Sequence, residues 1–202
     1  MRETTTPVVD LVPVDTAERA SFARRLHAAF SLAVTTEGVT ASVPMPSDRD
    51  VHEAFDDDRS DVWNLCAQDE RVGGAVVSGD DARRVLDLFF IDAGAHGRGL
   101  GRASWQAIER QYPATRIWET HTPYFEVRNI HFYVNVCGFH IVEFFHPGHP
   151  LADEAATDAA PPAPDEDVPD RMFRFEKTRS PERGSDAVEG RRQHEDDLGV
   201  GG

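Results

Sequence analysis

Three glycines alternate at Gly97, Gly99 and Gly101 at the end of the run LDLFFIDAGAHGRGLG (residues 86–101), with Arg98 between the first two and Arg102 just beyond. Glycine reaches backbone conformations closed to other residues and lets a ligand approach the main chain. A helix starting there leaves its first amide N–H groups without partners. Such amides, with guanidinium groups beside them, form an anion site suited to phosphate. A second constellation, Glu143, His146 and His149, has ligand types that could hold a metal, but Pro147 and Gly148 between the histidines spoil any rigid spacing. Cys66 and Cys137 are too few and too unpatterned for a disulfide framework or a cysteine metal site, and read as small buried hydrophobes.

A turn of this kind works only where a strand ends before it and a helix begins in it. The strand is expected at 84–91, and Leu100, Ser104, Ile108 and Tyr112 mark the less polar side of a helix that Pro113 stops. Upstream, 62–67 and 72–78 are strand-like, and the connections 68–71 and 79–83 are short and polar, so the region before the turn reads as an antiparallel meander. Residues 116–121 form the next strand. Strand, helix, strand implies a right-handed crossover and a parallel pairing with the strand before the turn.

The flanks follow the same rules. Residues 8–14 suit a first strand; Asp15 and Glu18 resemble a capping box, and Phe22, Leu26 and Phe30 form the core stripe of the helix that follows. The prolines at 43–46 exclude a regular element, Ser47 is placed to cap a short helix reaching Phe55, and the acids at 56–58 read as its solvated end. Pro123 breaks the fifth strand, a helix is expected over 128–136 with Gly138 ending it, and strands at 139–145 and 172–177 complete the pattern. Between them, 147–170 is rich in proline, alanine and acids and reads as a mobile loop. The expectation is one domain over 1–178 followed by a disordered tail at 179–202.

With 21 Lys and Arg against 36 Asp and Glu, the formal net charge of −15 argues against nonspecific binding to nucleic acid or to an anionic membrane, and mildly favours cationic substrates. No apolar run approaches the length of a membrane span, and the first residues lack the basic start and apolar centre of a signal peptide, so a cytoplasmic protein is expected. Oligomeric state is not legible, and a homodimer stays open.

Among phosphate-binding motifs, a P-loop requires Lys and then Ser or Thr after its last glycine, whereas Leu100 and Arg102 stand here. A dinucleotide fold finds an acid at Glu119 about twenty residues downstream, but its glycine spacing is not matched and an antiparallel meander precedes the turn. The segment His96-Gly97-Arg98-Gly99-Leu100-Gly101 instead resembles the acyl-CoA signature of the GNAT superfamily of acyl-CoA-dependent N-acetyltransferases. The later segments 118–123 and 128–133, with Gly138-Phe139, are similar to that family's sheet-splay strand, following helix and final motif. The resemblance implies an α+β fold: a mixed, mostly antiparallel central sheet with a splayed parallel pair at 86–91 and 116–121, flanked by about four helices.

It also implies a site. Backbone amides from Gly97 to Gly101, with Arg98 or Arg102, would bind the pyrophosphate of acetyl-CoA. The pantetheine arm would run along the strand at Phe90 and Ile91. Asn129 is a candidate contact, or alternatively a helix cap. His96 departs from the family's Gln or Arg, and the interval from Tyr133 to Gly138 is one residue longer than usual. The expected reaction transfers acetyl from acetyl-CoA to the amine of a small molecule or peptide. Tyr133 is the acid by resemblance, or alternatively a core tyrosine. For the base, Glu119 and His121 share one strand face and Asp87 lies on the neighbouring strand. Glu119 is the first choice, although an ion pair with Arg116 or Arg84 would also explain it. The acceptor is expected near 36–55, around Glu119 and near His146. A module that binds or senses acyl-CoA without catalysis is the rival reading.

Overall fold

The computed structural model describes residues 7–37, 46, 48–151 and 171–179. Asp15 opens the first helical segment as expected, its side chain accepting from the Ala17 amide while Glu18 reaches back to the Asp15 amide. The chain then runs as α1, Arg19–Glu37, and α2, Asp48–Asp56. The expected cap at Ser47 and nearly all of the proline segment before it lie outside the described residues, as do most of the expected loop and all but the start of the tail.

The strands are β1 Asp10–Pro13, β2 Asp61–Ala67, β3 Glu70–Gly79, β4 Arg83–Ile91, β5 Ile117–Pro123, β6 His140–Phe145 and β7 Met172–Thr178. They form one mixed sheet in the order β1-β2-β3-β4-β5-β7-β6. β1 to β4 are the antiparallel meander. Its first connection within 68–71 is tighter than expected. Gln68 and Asp69 alone make the turn, both at positive φ (53° and 65°), while Glu70 and Arg71 already pair with Ala67 and Cys66. Two left-handed residues match the twist of a two-residue hairpin.

After β4 come the glycine turn and α3, Leu100–Gln111, and the chain returns in β5 parallel to β4. This pairing is confined to Arg83–Val85 against Ile117–Glu119. The expected pair at 86–91 and 116–121 is therefore joined only at its root, and beyond Val85 the strands part. Thr120 Oγ1 bridges the point of parting with a 2.9 Å hydrogen bond to the Leu86 carbonyl.

α4, Val127–His131, continues as a π-helix over Phe132–Cys137 and ends at Gly138 in the left-handed conformation (φ 79°). The Gly138 amide donates to the Tyr133 carbonyl, an i→i+5 span. The π-helix thus absorbs the extra residue between Tyr133 and Gly138, a one-residue widening that such helices commonly provide.

Each face of the sheet has its own core. Trp105 and Ile108 of α3 pack with Trp118, Phe139 and Phe175, Trp105 meeting Trp118 edge to face at 5.1 Å. Phe22 and Leu26 of α1 pack with Val51 and Phe55 of α2 against Val76 and Phe90. Each such side chain contributes on the order of 1.5–3 kcal/mol of hydrophobic stabilisation. Together they clamp β4 from both sides and hold the end of that strand rigidly above the turn. No helix among the described residues is long and apolar enough to cross a membrane.

Candidate functional site

Beyond Ile91 the chain is anchored before it turns. Asp92 accepts from Arg25 of α1 (Nη2 at 2.9 Å), and Arg25 also donates to the Gly73 carbonyl and to buried Asn64. Gly97 and Gly99 both take positive φ, 79° and 73°, and Gly99 is the residue that starts α3. Gly101 has no positive φ but lies close under Phe132: a Cβ there would stand 3.1 Å from the ring, so the ring would have to shift by a few tenths of an ångström. The turn, the end of β4 and the start of α4 enclose a cavity of about 340 Å³. Of the expected cofactor residues, Phe90, Ile91, His96, Gly97, Gly99, Leu100, Gly101, Arg102 and Asn129 line it. Arg98 is exposed and is not part of the wall.

Several wall residues were not legible in the sequence. Ala29 and Phe30 reach in from α1, Glu126 and Arg128 from the start of α4, and Phe132 and Val136 from its π-helical part. Phe132 stacks on Phe89 at 5.4 Å with the rings nearly parallel, which lays a flat apolar surface along the cavity. Arg128 donates through Nη2 to His96 Nδ1 at 2.7 Å. Burial, reinforced by the Arg128 charge and opposed by Asp92, pushes the His96 pKa below its ordinary value, so the ring is a neutral acceptor at pH 7. Glu126 is buried and accepts from the side-chain amide of Asn129. Asn129 does not cap α4: the cap position is Glu126 and carries no side-chain capping bond. The only clue to Arg128 in the sequence was its place beside Asn129.

Tyr133 does not line the cavity. It is buried among Phe132, Phe139 and Phe175, with its hydroxyl close enough to Thr120, the residue that bridges the root of the splay, for Thr120 to oppose the effect of burial on its pKa. Burial drives its pKa well above the ordinary phenol value and keeps it protonated. Glu119 is held by two cations: its Oε2 accepts from Arg83 and, at 3.2 Å, from Arg174. The ion pair envisaged for it with Arg116 or Arg84 is thus made by other arginines, while Arg84 pairs with Asp81 and lies 4.3 Å over the Tyr112 ring. His121 lies 3.7 Å from Glu119, its pKa lowered first by burial.

The same charged chain continues to Glu143, which accepts from Arg174 at 2.9 Å and pairs with His149 at 2.8 Å. Among the described residues no three His, Cys, Asp or Glu side chains converge so as to hold a metal.

Asp87 behaves differently from these acids. The register between β3 and β4 slips there, Val76 facing Leu88 and Val77 facing Leu86, so Asp87 is the unpaired residue of a β-bulge. Its side chain is exposed to solvent and is not part of the cavity wall. Desolvation by the surrounding protein raises its carboxyl to about 6, against hydrogen bonding from Ser78.

Comparison with known proteins gives this geometry a context. The uncharacterized protein YrkN of Bacillus subtilis strain 168 is 43% identical over 152 residues, 74% of this chain and 82% of that protein. An acetyltransferase from Thermus thermophilus shares the fold with a TM-score of 0.59 at 18% identity, over 86% of this chain and 98% of its own. A Bacillus subtilis acetyltransferase solved in complex with CoA does so with a TM-score of 0.58 at 16% identity, over 86% and 99%. Residues 19–139, which carry α1, β2 to β4, the glycine turn and α4, match the acetyltransferase (GNAT) family, and it is to that family that the chain belongs.

Proposed function

We propose that the protein transfers an acetyl group from acetyl-CoA to the amine of a small molecule or peptide. The observation that carries this reading is the cavity running from the glycine turn along the end of β4, with apolar walls beside amide and guanidinium donors. Beyond Val85 the β5-facing edge of β4 has no strand partner. Amide N–H groups on that edge can bind the pantetheine arm and polarise the thioester carbonyl. An amine then attacks the carbonyl carbon, the carbon–sulfur bond breaks, and CoA leaves as the thiol after gaining a proton. The reaction needs a base for the amine and an acid for the sulfur.

For the base, Asp87 now ranks above Glu119. A carboxyl near 6 is ionised at pH 7 yet basic enough to accept a proton, whereas Glu119 is engaged by two guanidinium groups. For the acid, Tyr133 stays in the reading because its protonated hydroxyl lies close to Thr120 at the point where β4 and β5 part. The second reading, a module that binds acyl-CoA without catalysis, is favoured by the burial of Tyr133 away from the cavity wall.

Thiol release from acetyl-CoA across a panel of amines and peptides tests the reaction, and calorimetry with acetyl-CoA tests the cofactor. Heat of binding with thiol release supports transfer; binding without release for any acceptor supports the second reading; absence of binding defeats both.

A further inference from the structure

We propose that Arg128, held by His96, is a phosphate ligand of the cofactor, so that these two residues together replace the Gln or Arg that the GNAT signature carries at its first position. The inference rests on the acetyl-CoA reading above. His96 occupies that first position but carries no charge of its own toward an anion, because its ring is neutral and Nδ1 is taken up by Arg128. The 2.7 Å bond joins the glycine turn to the start of α4 across 32 residues of sequence. Both side chains line the cavity, at the end where the turn's amides and Arg102 also face it.

What distinguishes Arg128 in the cavity wall is its neutral partner, His96. In a chain with 36 acids against 21 Lys and Arg, guanidinium groups such as Arg83 and Arg174 are gathered by carboxylates. Arg128 makes no ion pair among the described residues. One of its N–H groups is spent on His96, and the planar fork keeps others to offer. A guanidinium fixed by a neutral acceptor at the mouth of an anion cavity presents two parallel donors to phosphate oxygens, which is the geometry arginine supplies and lysine does not. The position at the turn, next to the amides of Gly97 to Gly101, points to the pyrophosphate. His96 is then a positioning residue, acting through Arg128.

Calorimetry with CoA, 3′-dephospho-CoA and pantetheine tests this, with thermal melts to check that each variant is folded. Arg128→Met should weaken CoA about tenfold, the worth of one charge-assisted hydrogen bond, weaken dephospho-CoA by the same factor, and leave pantetheine unchanged. His96→Phe, which cannot accept, should reproduce most of that loss, and the double variant should add nothing further. His96→Gln, which keeps an acceptor, should retain affinity. Arg128→Met within about twofold of the parent protein, or an equal loss on pantetheine, would overturn the assignment. Independent losses in the double variant would remove His96 from its positioning role. Failure of the parent protein to bind CoA would instead overturn the acetyl-CoA reading on which the assignment stands.

Discussion

At the level of single residues, Asp87 connects chemistry to stability with opposite signs. Its carboxyl is raised from an ordinary 3.8 to about 6 in the folded protein. A group whose folded pKa is raised favours folding at low pH, and that contribution is lost as the pH rises through about 6. Ionised Asp87 therefore weakens the fold at pH 7, the form in which the proposed base would accept a proton. Asp87→Asn should lower kcat/KM on the order of 10²-fold, the scale of general base catalysis, and raise the melting temperature. In the parent protein kcat/KM should fall one decade per pH unit below about 6, and this limb should vanish in the variant. Loss of activity with a lowered melting temperature would count against the assignment. Tyr133→Phe should lower kcat on the order of 10²-fold and leave the KM for acetyl-CoA in place; unchanged kcat would make Tyr133 a core residue. Asp87 was visible in the sequence as one acid among several, but nothing there distinguished it from Glu119. The bulge that frees it and the arginines that engage Glu119 come from β3, β4 and β7, and no local pattern records such pairings.

Among the elements, the strand-turn-helix unit was legible because each of its parts is local: apolar β4, the alternating glycines and the stripe of α3. The reasons for the glycines were less so. Gly99 is there for its backbone angle, and Gly101 lies close under Phe132, which arrives from another helix. Gly99→Ala should therefore cost about 1–3 kcal/mol in urea unfolding, since a left-handed conformation strains any side chain. Gly94→Ala is the control: a Cβ there meets nothing within 4 Å and its φ is not positive, so stability should hardly change. Equal effects at both positions would mean that φ at Gly99 is not what the turn depends on. The π-helix shows the same division. The extra residue between Tyr133 and Gly138 could be counted in the sequence, but whether it would lengthen the loop, shift the tyrosine or widen a turn depended on packing. Tyr133 against Phe139 and Phe175 is the packing that decided it.

For the molecule as a whole, the insertion of β7 between β5 and β6 was beyond sequence reading, since strand order is set by long-range pairing and both partners present similar aromatic patterns. That insertion brings Arg174 and Glu176 beside Arg83 and Glu119 and gives one face of the sheet its charged character. A molecule with a net charge of −15 that binds a polyanion must do so locally, and the turn amides, Arg102 and Arg128 are the donors that the cavity wall offers, with its remaining acids screened over about 8 Å at physiological ionic strength. Because the site is assembled from β4, α3, α4 and α1, a bound cofactor holds together elements on both faces of the sheet and should stabilise the whole fold. At a concentration one hundred times its Kd, acetyl-CoA should add about 2.7 kcal/mol, which in a domain of this size raises the melting temperature by roughly 5–10 °C. Pantetheine, lacking every phosphate, should need far higher concentrations for the same rise. A melting temperature indifferent to acetyl-CoA at millimolar concentration would mean that the glycine turn, however well its backbone is arranged, does not hold this cofactor. An equal rise with inorganic pyrophosphate would mean that the turn recognises the phosphates without the arm that carries the acetyl group.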